Sequence, residues 1–146
     1  MKKIILPLIA SLSFALSPHI LPDSFAQCLS INYYTPQNTP IALNDFFKVI
    51  KKYECSNNIV YMGIENIIPG ILKLNVNNDT KNFLLKHLTI NGFKSAIYID
   101  KKLQKGVIAV QLNDKYTLKL LFYGNDYNKY VNILKQLGLK KIKSSL

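Results

Sequence analysis

The sequence predicts a small α+β domain with elements in the approximate order β-α-β-β-α-β-β-β-α, preceded by a removable leader. Three observations carry that expectation. Three stretches place apolar residues at helical spacing, three late segments alternate in the manner of a meander, and clusters of Asn, Gly and Pro separate the pieces. At 146 residues and 49% hydrophobic content, the chain has enough apolar surface for one core.

In order along the chain, Leu29–Tyr34 alternates loosely and reads as a first strand. Thr35–Pro40 is a turn-rich connector, with prolines that neither strand nor helix continues through. A first helix is expected over Leu43–Tyr53, with Asn44 as N-cap and Asp45 in the first turn. There Leu43, Phe46, Phe47, Val49, Ile50 and Tyr53 form an apolar stripe, and Lys48, Lys51 and Lys52 face water. Ile59–Ile64 is a short apolar run of the kind found in buried strands, and Gly70–Val76 alternates as a third strand. A second helix is expected over Thr80–Leu88, capped by Asn77-Asn78-Asp79 and stopped by Gly92. The formal glycosylation sequon Asn78-Asp79-Thr80 belongs to that cap. Lys94–Ile99, Gly106–Leu112 and Tyr116–Tyr123 then form three strands, the last two joined by a tight hairpin. Asp126–Leu137 is the clearest helix, stopped by Gly138, and Lys140, Lys141 and Lys143 follow as a basic tail.

The N-terminus carries a secretory signature. Met1-Lys2-Lys3 precedes the apolar run Ile4–Leu16, and small residues at Ser24 and Ala26 suit cleavage before Gln27. The same pattern occurs at Ser13-Phe14-Ala15, so a second site follows Ala15. The expected organisation is a signal peptide over 1–26 and one domain over 27–146, exported to the periplasm or secreted. The apolar run is too short to span a membrane, and Phe25-Ala26-Gln27 does not resemble a lipobox ahead of Cys28.

Export makes the two cysteines meaningful. Cys28 and Cys55 are the only pair, and an oxidising compartment favours a structural disulfide between them. In the chain-entropy picture, closing that loop is worth about 3–4 kcal/mol. No catalytic constellation is visible. His87 is the sole histidine beyond the leader, and Asp45, Glu54, Glu65, Asp79, Asp100, Asp114 and Asp126 are dispersed. Neither a cofactor nor a metal set is indicated, and the chain is read as a non-enzyme.

The net charge of +11 comes entirely from lysine. Abundant Asn, Ile and Lys suggest an AT-rich genome writing its bias into the protein. A true electrostatic role would instead point to nucleic acid, anionic lipid or glycan. In the last strand Thr117, Lys119, Leu121 and Tyr123 share a face that is not fully polar, which suits a further layer or a partner.

The order helix–strand–strand–helix–strand over roughly 41–112 resembles the secretin and TonB N-terminal domain. The residues that carry the resemblance are Leu43, Phe47 and Ile50; Ile59-Val60-Tyr61; Gly70 through Val76; Phe83, Leu84 and Leu88; and Gly92-Phe93. Glu54-Cys55-Ser56-Asn57-Asn58 departs from the family, which has a Gly and a shorter step there. No secretin pore or TonB barrel follows Leu112. The resemblance implies a free-standing accessory protein of a secretion, pilus or other envelope machine, working by protein–protein interaction. The alternative is a small secreted basic effector or inhibitor that binds an anionic macromolecule or membrane surface. Partner-contact candidates are Thr117, Lys119, Leu121 and Tyr123, together with Lys140, Lys141 and Lys143.

Overall fold

The computed structural model describes residues 16–34 and 47–146. Its centre is a nine-stranded sheet in which every neighbouring pair is antiparallel. The strands are β1 (Ser24–Phe25), β2 (Cys28–Tyr34), β3 (Phe47–Cys55), β4 (Asn58–Glu65), β5 (Asn78–Asp79), β6 (Phe83–Ile90), β7 (Phe93–Asp100), β8 (Lys105–Gln111) and β9 (Thr117–Tyr123). Helices are few and short: α1 (Gly70–Lys73), α2 (Tyr127–Lys135) and α3 (Leu139–Ser144), with a 3₁₀ turn at Pro18–Ile20. The spatial order β1-β2-β3-β4-β9-β8-β7-β6-β5 sets two meanders side by side, joined where β9 pairs with β4.

The fold is therefore predominantly β, which corrects the expected α+β class. Both early helices are strands. The part of the first that is described, Phe47–Tyr53, lies in β3; Leu43, Asn44, Asp45, Phe46 and the connector Thr35–Pro40 lie outside the described residues. The reason is local. Ser56 and Asn57 both take positive φ (49° and 72°), and Cys55 pairs with Asn58 across them, which makes a two-residue hairpin. That turn needs strands on both sides.

The second expected helix is β6, for the same reason. Asn91 and Gly92, at φ 48° and 88°, form a hairpin turn to β7 and not a helix cap, with Ile90 paired to Phe93. Gly70–Val76 is likewise not a strand. Gly70–Lys73 makes one helical turn with Leu72 buried, and Leu74 and Val76 are exposed. Asn78-Asp79 form the short β5, and the Thr80 hydroxyl accepts from the amides of Asn82 and Phe83 in a turn where a helix start was expected. The helix–strand–strand–helix–strand order that carries the secretin-type resemblance is not the order of this fold. The strands at Leu29–Tyr34, Ile59–Ile64, Lys94–Ile99, Gly106–Leu112 and Tyr116–Tyr123 and the helix at Asp126–Leu137 match β2, β4, β7, β8, β9 and α2 to within a few residues. The basic tail is helical, as α3.

Alternation along the strands makes two faces. The inner face carries Val49, Tyr53, Val60, Met62, Ile64, Ile97, Ile99, Ile108, Val110, Leu118, Leu120 and Phe122. It is covered by Tyr130, Val131, Ile133 and Leu134 of α2 and by Leu139 and Ile142 of α3. Phe122 lies over Gly106, where a Cβ would come within 2.3 Å of the ring, and stacks on Tyr130 at 4.6 Å. An aromatic laid over a strand glycine restores packing that the missing side chain gives up.

The segment ahead of β2 closes the same core. Leu21 is fully buried, and Phe25 meets Tyr53 edge-to-face at 5.4 Å. Lys51, which alternation places on the inner face, is buried as well. Its ammonium donates to the Leu21 carbonyl at 2.7 Å and to Asp23 Oδ1 at 2.8 Å. The Tyr53 hydroxyl donates to the Pro22 carbonyl at 2.6 Å. Cys28 and Cys55 form the expected disulfide, at paired positions of β2 and β3 with Cα atoms 4.1 Å apart. It clamps two neighbouring strands together.

Candidate functional site

The outer face of the sheet is unevenly covered, and its register accounts for this. One row across the strands reads Ile50, Gly63, Lys119, Ala109, Ala96 and His87. Small residues at three of those positions admit a second layer. The Phe47 ring and Ile50 occupy the space a Cβ on Gly63 would need, and Leu72, with Ile68 and Ile71, packs on Ala96 and Ala109. His87 ties this layer down, with Nε2 2.7 Å from the Ile71 carbonyl and Nδ1 3.1 Å from Asn77 Oδ1.

Beside that row, at one end of β9, Glu65 and Thr117 are paired across β4 and β9 and both are buried. Lys119 Nζ lies 2.7 Å from Glu65 Oε1 and 6.0 Å from the Phe47 ring centroid. Glu65 Oε2 and Thr117 Oγ1 have no hydrogen-bond partner among the described residues. Burying a carboxylate costs several kcal/mol unless a cation meets it, so Lys119 is a structural counter-ion here.

The next row is only half-buried by the described residues. It runs Lys52, Tyr61, Leu121, Val107 and Tyr98, so that four apolar or aromatic side chains cross β4, β9, β8 and β7 in a half-buried line. At the near end Ile50, Tyr61, Leu121 and Tyr123 border a cleft of about 300 Å³, with Lys105 on its rim. Lysines ride above the aromatics: Lys52 Nζ is 5.9 Å from the Tyr61 centroid, and Lys105 Nζ is 5.7 Å from that of Tyr123. At the far end Phe83 stacks on Tyr98 at 5.9 Å. Asp100, on this face opposite Lys105, is engaged by the amides of Lys102 and Leu103.

The predicted contact residues divide accordingly. Thr117, Lys119, Leu121 and Tyr123 do share the outer face of β9, which is a central strand. Thr117 is fully buried and Lys119 is committed to Glu65, whereas Leu121 is half-buried and Tyr123 is 60% exposed. Lys140, Lys141 and Lys143 are exposed on α3, across the sheet from these four, since α3 packs on the inner face. Tyr61, Val107, Tyr98 and Lys52 complete the outer row and were missed. The signal that finds them is the strand period, which needs β3 and β7 placed in register with β9.

The scattered acids stay apart. Glu65, Asp79 and Asp100 are each held in a separate local bond, and Asp45 lies outside the described residues. Among the described residues, no group of three or more His, Cys, Asp or Glu is placed to hold a metal ion. No helix among them is long and apolar enough to cross a membrane. Compared with known proteins, the chain matches no family model, no curated protein and no solved structure.

Proposed function

We propose that this protein is an exported binding module that docks a protein partner of the cell envelope on the outer face of its sheet, and acts by binding instead of catalysis. The observation that carries this reading is the half-buried apolar row Tyr61, Leu121, Val107 and Tyr98 beside the cleft at Tyr123. A contiguous apolar strip across four strands costs solubility unless something covers it. Interfaces place aromatic and aliphatic anchors in such clefts, and the cleft here is wide enough for one side chain of a partner. Lys52 and Lys105 at the rim favour a partner segment whose apolar residues are flanked by carboxylates, because opposite charge speeds and orients encounter.

The test is site-specific photo-crosslinking in intact cells of the source organism. A photoreactive phenylalanine at position 121 is expected to capture one discrete envelope protein, and the same group at Asn132 on the exposed side of α2 is expected to capture none. Capture at position 121 should disappear when Tyr123→Glu is added. Equal yields at positions 121 and 132, or insensitivity to Tyr123→Glu, would refute the assignment.

A further inference from the structure

We propose that the leader is cleaved between Ala15 and Leu16, so that residues 16–26 remain in the mature protein as part of its fold; this rests on the export reading above. The two candidate sites, Ser13-Phe14-Ala15 and Ser24-Phe25-Ala26, present the same residues at −3 and −1, so cleavage specificity does not separate them. The fold does.

The later site lies inside a hairpin. Phe25 pairs with Cys28, and Ala26 takes the turn between them at φ 49°. A chain beginning at Gln27 loses Leu21, which is fully buried in the main core, and loses β1 altogether. It also strips Lys51 of the Leu21 carbonyl and Asp23, its acceptors at 2.7 and 2.8 Å, although Lys51 is only 2% exposed. The Tyr53 hydroxyl, with Tyr53 fully buried, loses the Pro22 carbonyl. A buried ammonium without an acceptor is among the least tolerated defects in a protein interior.

Cleavage after Ala15 leaves every one of these contacts in place. Water adds across the Ala15–Leu16 peptide bond, giving a carboxylate on Ala15 and an ammonium on Leu16. That nitrogen already donates to the Lys48 carbonyl at 3.3 Å, and the Leu16 side chain packs against the main core, so the new terminus has a seat. The shorter leader keeps Met1-Lys2-Lys3 and the apolar segment Ile4–Leu12, within the length such segments need.

The experiment expresses the full chain with its own leader in a bacterium that has a periplasm, and reads the intact mass of the exported product. The expected first residue is Leu16. Ala15→Phe, which puts a bulky group at −1 of the earlier site, is expected to leave uncut precursor. Ser24→Lys, which changes the exposed −3 residue of the later site, is expected to leave processing unchanged. A product beginning at Gln27, or blockage by Ser24→Lys but not by Ala15→Phe, would overturn the proposal while leaving export intact. Uncut wild-type chain in the cytoplasm would overturn export, and the cleavage assignment with it.

Discussion

Leu21 measures how much the segment ahead of β2 contributes to the fold. Its side chain is fully buried in the same cluster as Tyr53 and Val60, and its carbonyl accepts from the Lys51 ammonium. Leu21→Ala removes three buried carbons and leaves a space that its neighbours, two of them held by hydrogen bonds, close only in part. Substitutions of this kind cost about 2–5 kcal/mol, from lost transfer energy plus the cavity. Lys51 is held in place by its bond to Leu21 and Tyr53 by its bond to Pro22, so little relaxation is available and the upper half of that range is expected. For a domain of this size, about 4 kcal/mol corresponds to a fall in Tm of roughly 8–16 °C. The assay is urea unfolding of purified protein that retains residues 16–26, followed by far-ultraviolet circular dichroism. Ser24→Ala, at an exposed position of β1, serves as the control and should shift stability by less than about 0.5 kcal/mol. A loss for Leu21→Ala as small as the control would refute the reasoning and detach the segment from the core.

Other expectations follow from the same contacts. Lys119→Met leaves the Glu65 carboxylate buried without its cation and should cost about 3–5 kcal/mol; adding Glu65→Gln should recover most of it in a double-mutant comparison by denaturant unfolding. Gly106→Ala forces the Phe122 ring off its place against Tyr130 and should cost about 1–3 kcal/mol by the same method. Replacing both Cys28 and Cys55 by Ala should lower stability by about 2–4 kcal/mol while leaving the strand pattern intact in circular dichroism. Acid and base act on one place. The hydrogen bond from Lys51, and then its charge, hold the Asp23 carboxyl below its ordinary value. That contribution is present above pH about 4 and fades as pH falls through the lowered value. Burial pushes the Tyr53 hydroxyl well above its ordinary value, so stability falls as pH rises beyond about 10. Tyr53→Phe should flatten the alkaline limb of a stability–pH profile and Asp23→Asn the acid limb.

The later half of the fold was readable from the sequence because its strands alternate cleanly and its helix α2 starts and stops on clear signals. The earlier half was not, for two reasons. Lys51 occupies an inward strand position, and a lysine there breaks the alternation that would have marked β3, leaving lysines that mimic the polar side of a helix. At β6 the sequence has no inward–outward contrast, since Phe83, Leu84, Leu85 and Leu88 crowd both faces. In each case the decisive signal is the turn that follows, Ser56-Asn57 and Asn91-Gly92, where two successive residues take positive φ. An Asn-Gly pair between apolar runs favours a hairpin over a helix stop. Of the proposed contact surface, Leu121 and Tyr123 were readable from β9 alone. Tyr61 was not, because β9 pairs with β4, a strand distant in the chain that no local pattern announces, and Val107 and Tyr98 join the row only once the registers of the β7-β8-β9 meander are fixed. A leader ending at Ala26 places Leu21 and Asp23 outside the expected domain, whereas in the structure Leu21 is buried in the core and its carbonyl and Asp23 accept from Lys51.

The most direct test of the binding role is the affinity of the envelope partner captured at position 121 for two variants. Leu121→Glu places a charge at the centre of the apolar row, and the triple change Lys140→Gln, Lys141→Gln and Lys143→Gln removes the exposed cations of α3 on the opposite side. The outer-face account predicts that Leu121→Glu weakens binding at least about 30-fold, the equivalent of about 2 kcal/mol, and that the triple change stays within about 3-fold. Loss with the triple change alongside unaltered binding by Leu121→Glu would contradict it and place the contact on the lysine surface instead.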